Sequence, residues 1–429
     1  MLGHHNEEIL NVFRNCEYKI PAKTKIFTTM IDRTELSKFG ITTQLSVIGR
    51  NPDEQSGFVN PPLYKGSTII LKKLSDLEQR KGRFYGTAGS PTIDNLENAW
   101  THLTGGAGTV LSASGLGSIS LALLALSKAG DHILMTDSVY VPTRMLCDGL
   151  LAKFGVETDY YDPSIGKDIE KLVKPNTTVI FLESPGSGTM EVQDIPALVS
   201  VAKKHGIKTI LDNTWATPLF FDAHAHGIDI SVEAGTKYLG GHSDLLIGLA
   251  SANEECWPLL RSTYDAMAML PGAEDCQLAL RGMRTLHLRL KEVERKALDL
   301  AAWLGNRDEV EKVLHPAFED CPGHEYWVRD YKGSSGLFSI VLKNGFTRAG
   351  LEKMVEGMKV LQLGFSWGGY DSLITPVNPC NNRKASTWPY KGFALRIQVG
   401  LEEFEDLKRD FELGFERLAE EISLNPLQI

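Results

Sequence analysis

Asp212 and Lys237 are the two residues whose types and placement could do chemistry together. Asp212 closes the apolar run Ile207-Lys208-Thr209-Ile210-Leu211, and Lys237 follows the run Ile228 to Val232 inside Gly235-Thr236-Lys237-Tyr238. A strand-end acid followed by a strand-end lysine suits pyridoxal phosphate. The amine forms a Schiff base with the aldehyde, and the carboxylate holds a proton on the pyridine nitrogen so that the ring can accept electrons. A third feature is Ser114-Gly115-Leu116-Gly117-Ser118, a glycine-rich turn opening a helix, where backbone N–H groups can cradle a phosphate. Gly115-x-Gly117 lacks the third glycine of the dinucleotide fingerprint, which disfavours the alternative of a nicotinamide-dependent dehydrogenase.

The elements that must position these residues alternate between strand and helix from about 95 to 250. The pattern predicts a helix from Leu116 to Ser127 stopped by Gly130, a strand from Asp131 to Thr136, and a helix from Pro142 to Gly155. Strands at Val156 to Tyr160 and Thr178 to Glu183 follow. A helix from Ile195 to His205, with Asp194 as N-cap and Gly206 as stop, leads to the strand Lys208 to Asp212. Such alternation implies parallel crossover units, and ligands in those sheets sit at the carboxyl ends of the strands, where Glu183, Asp212 and the Lys237 loop fall. A long amphipathic helix is expected from about Leu278 to Leu304, then strands at Leu337 to Leu342 and Ala394 to Val399. A last helix buries Phe404, Leu407, Phe411, Phe415 and Leu418. The stretch from Pro376 to Gly392 reads as a loop bordering the site.

Composition narrows the classes. The 429 residues are 42% apolar and 23% charged, an ordinary globular balance with material for two domains. The formal net charge of −9, without a basic block interleaved with aromatics, argues against nucleic acid as a partner. The longest apolar stretch, Ile119 to Leu126, is far short of the roughly 20 residues of a membrane span, so no membrane partner and a cytoplasmic protein are expected. Six cysteines show no Cys-x-x-Cys spacing, and the histidines show no His-Glu-x-x-His pattern, so neither disulfides nor a metal are implied. Residues 1 to about 40 are polar without sustained periodicity and are expected to form an arm on another subunit.

Several motifs together resemble one family, the Cys/Met-metabolism enzymes that use pyridoxal phosphate, and within it the cystathionine beta-lyases most closely. The resemblance spans about residues 40 to 420. It rests on Asn60-Pro61-Pro62, Tyr85-Gly86, Ser114-Gly115-Leu116-Gly117, Glu183-Ser184-Pro185-Gly186-Ser187, Asp212-Asn213-Thr214-Trp215, Thr236-Lys237-Tyr238, Gly241-His242-Ser243-Asp244, Arg281-Gly282-Met283-Arg284-Thr285 and Gly333-Ser334-Ser335-Gly336. It implies an α/β chain of the aspartate-aminotransferase-like fold (fold type I), with a mostly parallel seven-stranded sheet in a large domain and a smaller α+β C-terminal domain. The boundaries expected are 1–90 for an N-terminal arm contacting a neighbouring subunit, 91–290 for the cofactor domain and 291–429 for the C-terminal domain.

The resemblance also implies roles. Lys237 becomes the Schiff-base lysine, Asp212 the partner of the pyridine nitrogen and Tyr140 the ring stacked on the cofactor. Gly115 and Leu116 give backbone N–H groups to the phosphate, Thr236 its hydroxyl, and Tyr85 a phenol from a neighbouring subunit. Ser366 and Arg396 hold the substrate carboxylate, which a guanidinium grips with two parallel bonds. Trp367, in Ser366-Trp367-Gly368-Gly369-Tyr370-Asp371-Ser372, marks the beta-lyase form, and Tyr264 resembles a further active-site tyrosine. The implied reaction is β-elimination of L-cystathionine to homocysteine, pyruvate and ammonia in a homotetramer of two active-site-sharing dimers. A broader cysteine-S-conjugate, cysteine or cystine β-lyase, a gamma-lyase and a gamma-synthase stay open as alternatives. Two positions depart from the family pattern. Thr87 stands where many members carry a phosphate-clamping arginine, with Arg83 as the nearby candidate replacement, and Ala234 stands where several carry serine.

Overall fold

The computed structural model describes residues 33 to 424 apart from positions 54, 80, 81 and 382. Residues 1 to 32 of the expected N-terminal arm therefore lie outside the described residues. Seven strands form the first sheet: β1 (Gly108–Ser112), β2 (His132–Thr136), β3 (Glu157–Tyr161), β4 (Thr177–Glu183), β5 (Lys208–Asp212), β6 (Ile230–Ala234) and β7 (Gly248–Ala252). Their spatial order is β1-β7-β6-β5-β4-β2-β3. Neighbours from β6 to β3 run parallel, whereas β7 is antiparallel to both β6 and β1. Runs such as Ile133-Leu134-Met135 and Val179 to Leu182 are buried along their whole length because helices cover both faces of the sheet.

The helix Ile195–His205 has the predicted bounds, and Gly206 stops it at φ 67°. Asp194 precedes this helix but does not cap it; its carboxylate accepts from Arg329 instead, at 2.8 Å. The segment after β2 begins helically at Val141–Met145 but widens into a π turn at Leu146–Leu151.

β1 and β7 escape the pattern because they are built of small residues. Their glycines are contact points: a Cβ on Gly108 would enter the Trp257 ring, and one on Gly248 would meet the Ser114 carbonyl. The single long helix expected from 278 to 304 is two, Ala273–Met283 and Leu286–Gly305. The break at Arg284 and Thr285 lets Arg289 reach back, donating to the Gly282 carbonyl at 2.7 Å and to the Tyr238 carbonyl at 2.6 Å.

The second sheet contains β8 (Val310–Leu314), β9 (Leu337–Leu342), β10 (Gln362–Leu363), β11 (Leu373–Val377) and β12 (Ala394–Gln398), in the order β10-β11-β12-β9-β8. The last helix, Phe404–Leu424, buries Leu407, Phe411, Phe415 and Leu418 in the same cluster as Phe338, Ile340 and Leu395 of this sheet, while Phe404 is only partly buried. The two layers meet where the Trp215 indole donates to the Leu337 carbonyl at 2.9 Å. No helix among the described residues is long and apolar enough to cross a membrane.

Candidate active site

The carboxyl ends of three adjacent strands converge. Glu183 ends β4, Asp212 ends β5 directly opposite it in register, and β6 ends at Ala234, three residues before Lys237. Tyr140 follows β2, and Ser114 to Leu116 follow β1. From the second sheet, β12 contributes Arg396, and the segment before β11 contributes Ser366 and Trp367. All of these groups except Ser366 line one cavity of about 200 Å³, together with Thr214, Trp215, Thr236 and Gly186 to Gly188.

Its chemistry is polarised. At one end, Ser114 caps the helix Gly115–Leu126 by accepting from Gly117 N–H at 3.1 Å. The N–H groups of Gly115 and Leu116 lie in the first turn, where no intrahelical acceptor exists, and both residues line the cavity, which suits them to cradle an anion. Gly115 must be glycine: an added Cβ would sit 2.5 Å from the Ala234 methyl. Ala234 is thus held against Gly115 by close packing. The Thr236 hydroxyl lies beside this cradle and bridges Ile247, donating to its carbonyl at 3.2 Å and accepting its N–H at 3.1 Å.

At the other end, Asp212 is held in one orientation by Thr214, whose N–H (3.0 Å) and hydroxyl (2.5 Å) both reach Oδ1, leaving Oδ2 for another donor. The same hydroxyl accepts the Ala234 N–H at 2.9 Å, fastening the acid to the β6 edge. Withdrawal from water pushes the Asp212 carboxyl above its ordinary range, against the Thr214 bonds and the nearby Lys237 charge. A ring N–H⁺ is the cationic donor that would return this acid to its anionic form. Acid, lysine, aromatic wall and anion cradle therefore fit pyridoxal phosphate on the geometry of the chain itself.

Between the ends, the Lys237 ammonium donates to Ser366 Oγ at 2.7 Å and lies 5.4 Å from the centre of the Trp367 ring. Burial and the Arg396 charge push its pKa down to about 8, against the pull of Asp212. Arg396 in turn donates from Nη2 to the Ser366 carbonyl at 3.0 Å and to Thr375 Oγ1 at 3.3 Å. Ser366 makes both contacts from the left-handed region, φ 84°, a conformation that costs a non-glycine residue roughly 1–3 kcal/mol and is kept where the surroundings impose it. Next to it, Gly368 (φ 83°) passes so close to Lys237 that a Cβ would lie 3.0 Å from the lysine Cα.

The cavity therefore gathers Lys237, Asp212, Tyr140, Gly115, Leu116, Thr236, Trp367 and Arg396, with Ser366 joined to it through Lys237. Two expected site residues lie elsewhere. Tyr264 is a core residue: its helix, Trp257–Met267, packs against Gly115–Leu126, and its ring is buried with Arg261 5.0 Å from its centre. It is not a substrate contact within this chain. Tyr85 is on the surface, 54% exposed, and does not line this chain's cavity, so its expected phosphate contact would have to be with a neighbouring subunit's site. Arg83, the suggested replacement for a cation at Thr87, is paired with Asp94 and donates to the Ala88 carbonyl at 3.4 Å.

Reading the sequence missed three supporting groups. Thr214 and Glu183 stood inside quoted motifs but received no role. Arg289, buried and pushed down to about 10 by that burial, satisfies carbonyls of the segment just after Lys237; its place one turn beyond the Arg-Gly-Met-Arg-Thr motif was the available signal. The loop beyond β11 is tied down by Asp137, whose carboxylate accepts the backbone N–H groups of Lys384, Ala385 and Ser386 at 2.8 to 3.0 Å.

The sequence profile of the Cys/Met metabolism PLP-dependent enzymes matches residues 42–416. The chain belongs to this family. It is 40% identical to a cystathionine beta-lyase of Salmonella typhimurium over 390 residues, covering 88% of this chain and 99% of that protein. It is also 38% identical to an L-alanine/L-glutamate racemase of Wolbachia pipientis over 386 residues, covering 86% of this chain and 95% of the relative. Among solved structures, a cystathionine gamma synthase from Xanthomonas oryzae in complex with cystathionine superimposes with a TM-score of 0.81 at 28% identity, covering 89% of this chain and 99% of that one. The family and its lyase relatives make this chain a pyridoxal-phosphate-dependent carbon–sulfur lyase of the type I fold.

Proposed function

We propose that the chain is a cystathionine beta-lyase: elimination breaks the Cβ–S bond of L-cystathionine to release homocysteine, and one water hydrolyses the remaining three-carbon enamine to pyruvate and ammonia. The observation that carries this reading is Trp367, a wall of the cavity beside the Lys237 amine and continuous with Ser366, in the motif that resembles the beta-lyase form. A racemase and a gamma synthase share the fold and much of the sequence, so bond choice has to come from groups such as this one.

When bound, pyridoxal phosphate supplies the electron sink that stabilises negative charge at the substrate Cα. The chain's own groups do the rest. Gly115, Leu116 and Thr236 hold the phosphate, and Asp212 keeps the pyridine nitrogen protonated. Arg396 pairs its guanidinium with the substrate carboxylate, using the edge that Ser366 and Thr375 leave free. That grip presents the Cα–H bond to Lys237, whose amine accepts the proton; a pKa near 8 leaves an appreciable neutral fraction at neutral pH. Lys237, or Tyr140 across the cavity, returns a proton to the departing sulfur.

The site is read as shared between subunits of a cytoplasmic homotetramer. Exposed Phe58 (72%), Ile70 (85%) and Tyr85 lie in one segment whose apolar surface favours cover by a second copy. The boundaries 1–90, 91–290 and 291–429 remain the proposed division of the chain. The function is tested by kcat/KM for cystathionine, cystine, S-alkyl cysteines and cysteine in wild type and Lys237→Ala. Cystathionine should lead and the variant should be inactive; near-normal turnover by the variant contradicts the scheme.

A further inference from the structure

Glu183 is an acid that the proposed reaction does not use. It ends β4 opposite Asp212, lines the same cavity, and is partly buried. Among the described residues it has no ion pair with a cation. Its Oε2 accepts the Tyr140 backbone N–H at 2.6 Å. The Tyr140 carbonyl is occupied too, accepting from Thr143 at 2.9 Å and Arg144 at 3.2 Å. The residue is thus gripped on both sides, by its helix through the carbonyl and by Glu183 through the N–H. No other described contact fixes the peptide plane on the side from which the side chain enters the cavity.

We infer that Glu183 is a positioning residue for Tyr140, its Oε2 fixing the peptide that aims the phenol ring across the cofactor site. This rests on the reading of Tyr140 as the ring stacked on the cofactor. The acid suits the task electrostatically as well. Burial and the neighbouring Asp212 push its carboxyl well above the usual range, whereas its bond from Tyr140 works the other way. A neutral acid accepts the N–H without placing a second negative charge beside the one that must face the pyridine nitrogen. The two paired strand ends then divide the work, Asp212 toward the ring nitrogen and Glu183 toward the residue over the ring's face.

Four variants of the full chain, reconstituted with pyridoxal phosphate, test this: Glu183→Leu, Glu183→Gln, Tyr140→Ala and the double variant Glu183→Leu/Tyr140→Ala. The readouts are the cofactor dissociation constant from titration of apo-protein and the visible circular dichroism of the bound cofactor, with kcat and KM alongside. Leaving the Tyr140 N–H without its acceptor should weaken cofactor binding roughly fivefold in Glu183→Leu and diminish the dichroism. Tyr140→Ala should do the same, and the double variant should be no worse than Tyr140→Ala alone, since both remove one arrangement. Glu183→Gln keeps an amide carbonyl in place and should recover most of the dichroism. Glu183→Ala replaces the leucine variant if that one does not fold.

Wild-type binding and dichroism in Glu183→Leu, additive losses in the double variant, or a glutamine variant as damaged as the leucine one would each overturn the inference. If Tyr140→Ala itself changes nothing, the stacking reading fails first and takes the positioning role with it.

Discussion

Replacing Arg396 by Gln should raise the pKa of Lys237. The lysine falls from its ordinary 10.5 to about 8, with burial the largest cause, the Arg396 charge second and Asp212 opposing both. Both cations bear on Ser366, Lys237 through the hydroxyl at 2.7 Å and Arg396 through the carbonyl at 3.0 Å. Because the Arg396 charge is the second cause and burial the first, its removal should raise the midpoint by roughly one unit, about 1.4 kcal/mol, toward 9. Burial remains, so it should not return to the free value. The sign follows from Arg396 disfavouring the protonated amine; without it, Lys237 keeps its proton to higher pH. Arg396→Lys preserves the charge and should leave the midpoint near that of wild type. The assay is competitive acylation of apo-protein across pH, with mass spectrometry following the peptide that carries Lys237. It needs neither substrate nor cofactor and is blind to the lost carboxylate grip. A midpoint that stays put or falls in Arg396→Gln would refute the electrostatic coupling, and a wild-type midpoint near 10.5 would refute the burial argument.

Thr214→Val removes the hydroxyl that bridges Asp212 and the Ala234 N–H; apo-protein titration should show cofactor affinity reduced about tenfold, with Thr214→Ser retaining most of it. Gly115→Ala forces a methyl against the Ala234 methyl at the phosphate cradle, and equilibrium dialysis should show weaker cofactor binding even where the fold survives. Thr87→Arg should tighten cofactor binding if the shared phosphate site lacks a cation, since Arg83 is already occupied by Asp94; unchanged affinity would mean that another group fills the role.

The parallel core was legible because most of its strands are continuous apolar runs and the helix Ile195–His205 ends in glycine at Gly206, although the helix Gly115–Leu126 stops at Ser127, short of Gly130. The edge formed by β1 and β7 was not, since close packing on Trp257 and Ser114 demands small residues, which carry no strand signature. The break between the helices at 273–283 and 286–305 was hidden for a related reason: the apolar stripe continues through it, and only the reach of Arg289 to distant carbonyls explains the interruption. In the site, residues with distinctive chemistry could be picked out by type, Lys237, Asp212 and Arg396 above all. Thr214 and Glu183 could not, because their importance lies in hydrogen bonds, those of Thr214 to Asp212 and the Ala234 N–H and that of Glu183 to the Tyr140 N–H, which the fold alone brings within reach. Tyr264 shows the opposite error, a plausible residue type that its helix turns into the core.

The most direct test of the proposed reaction is the identity of the keto acid released when purified holoenzyme consumes L-cystathionine. Cleavage on the Cβ side yields one pyruvate and one homocysteine for each cystathionine lost, and the account predicts that stoichiometry. Release of 2-oxobutyrate with cysteine would contradict it.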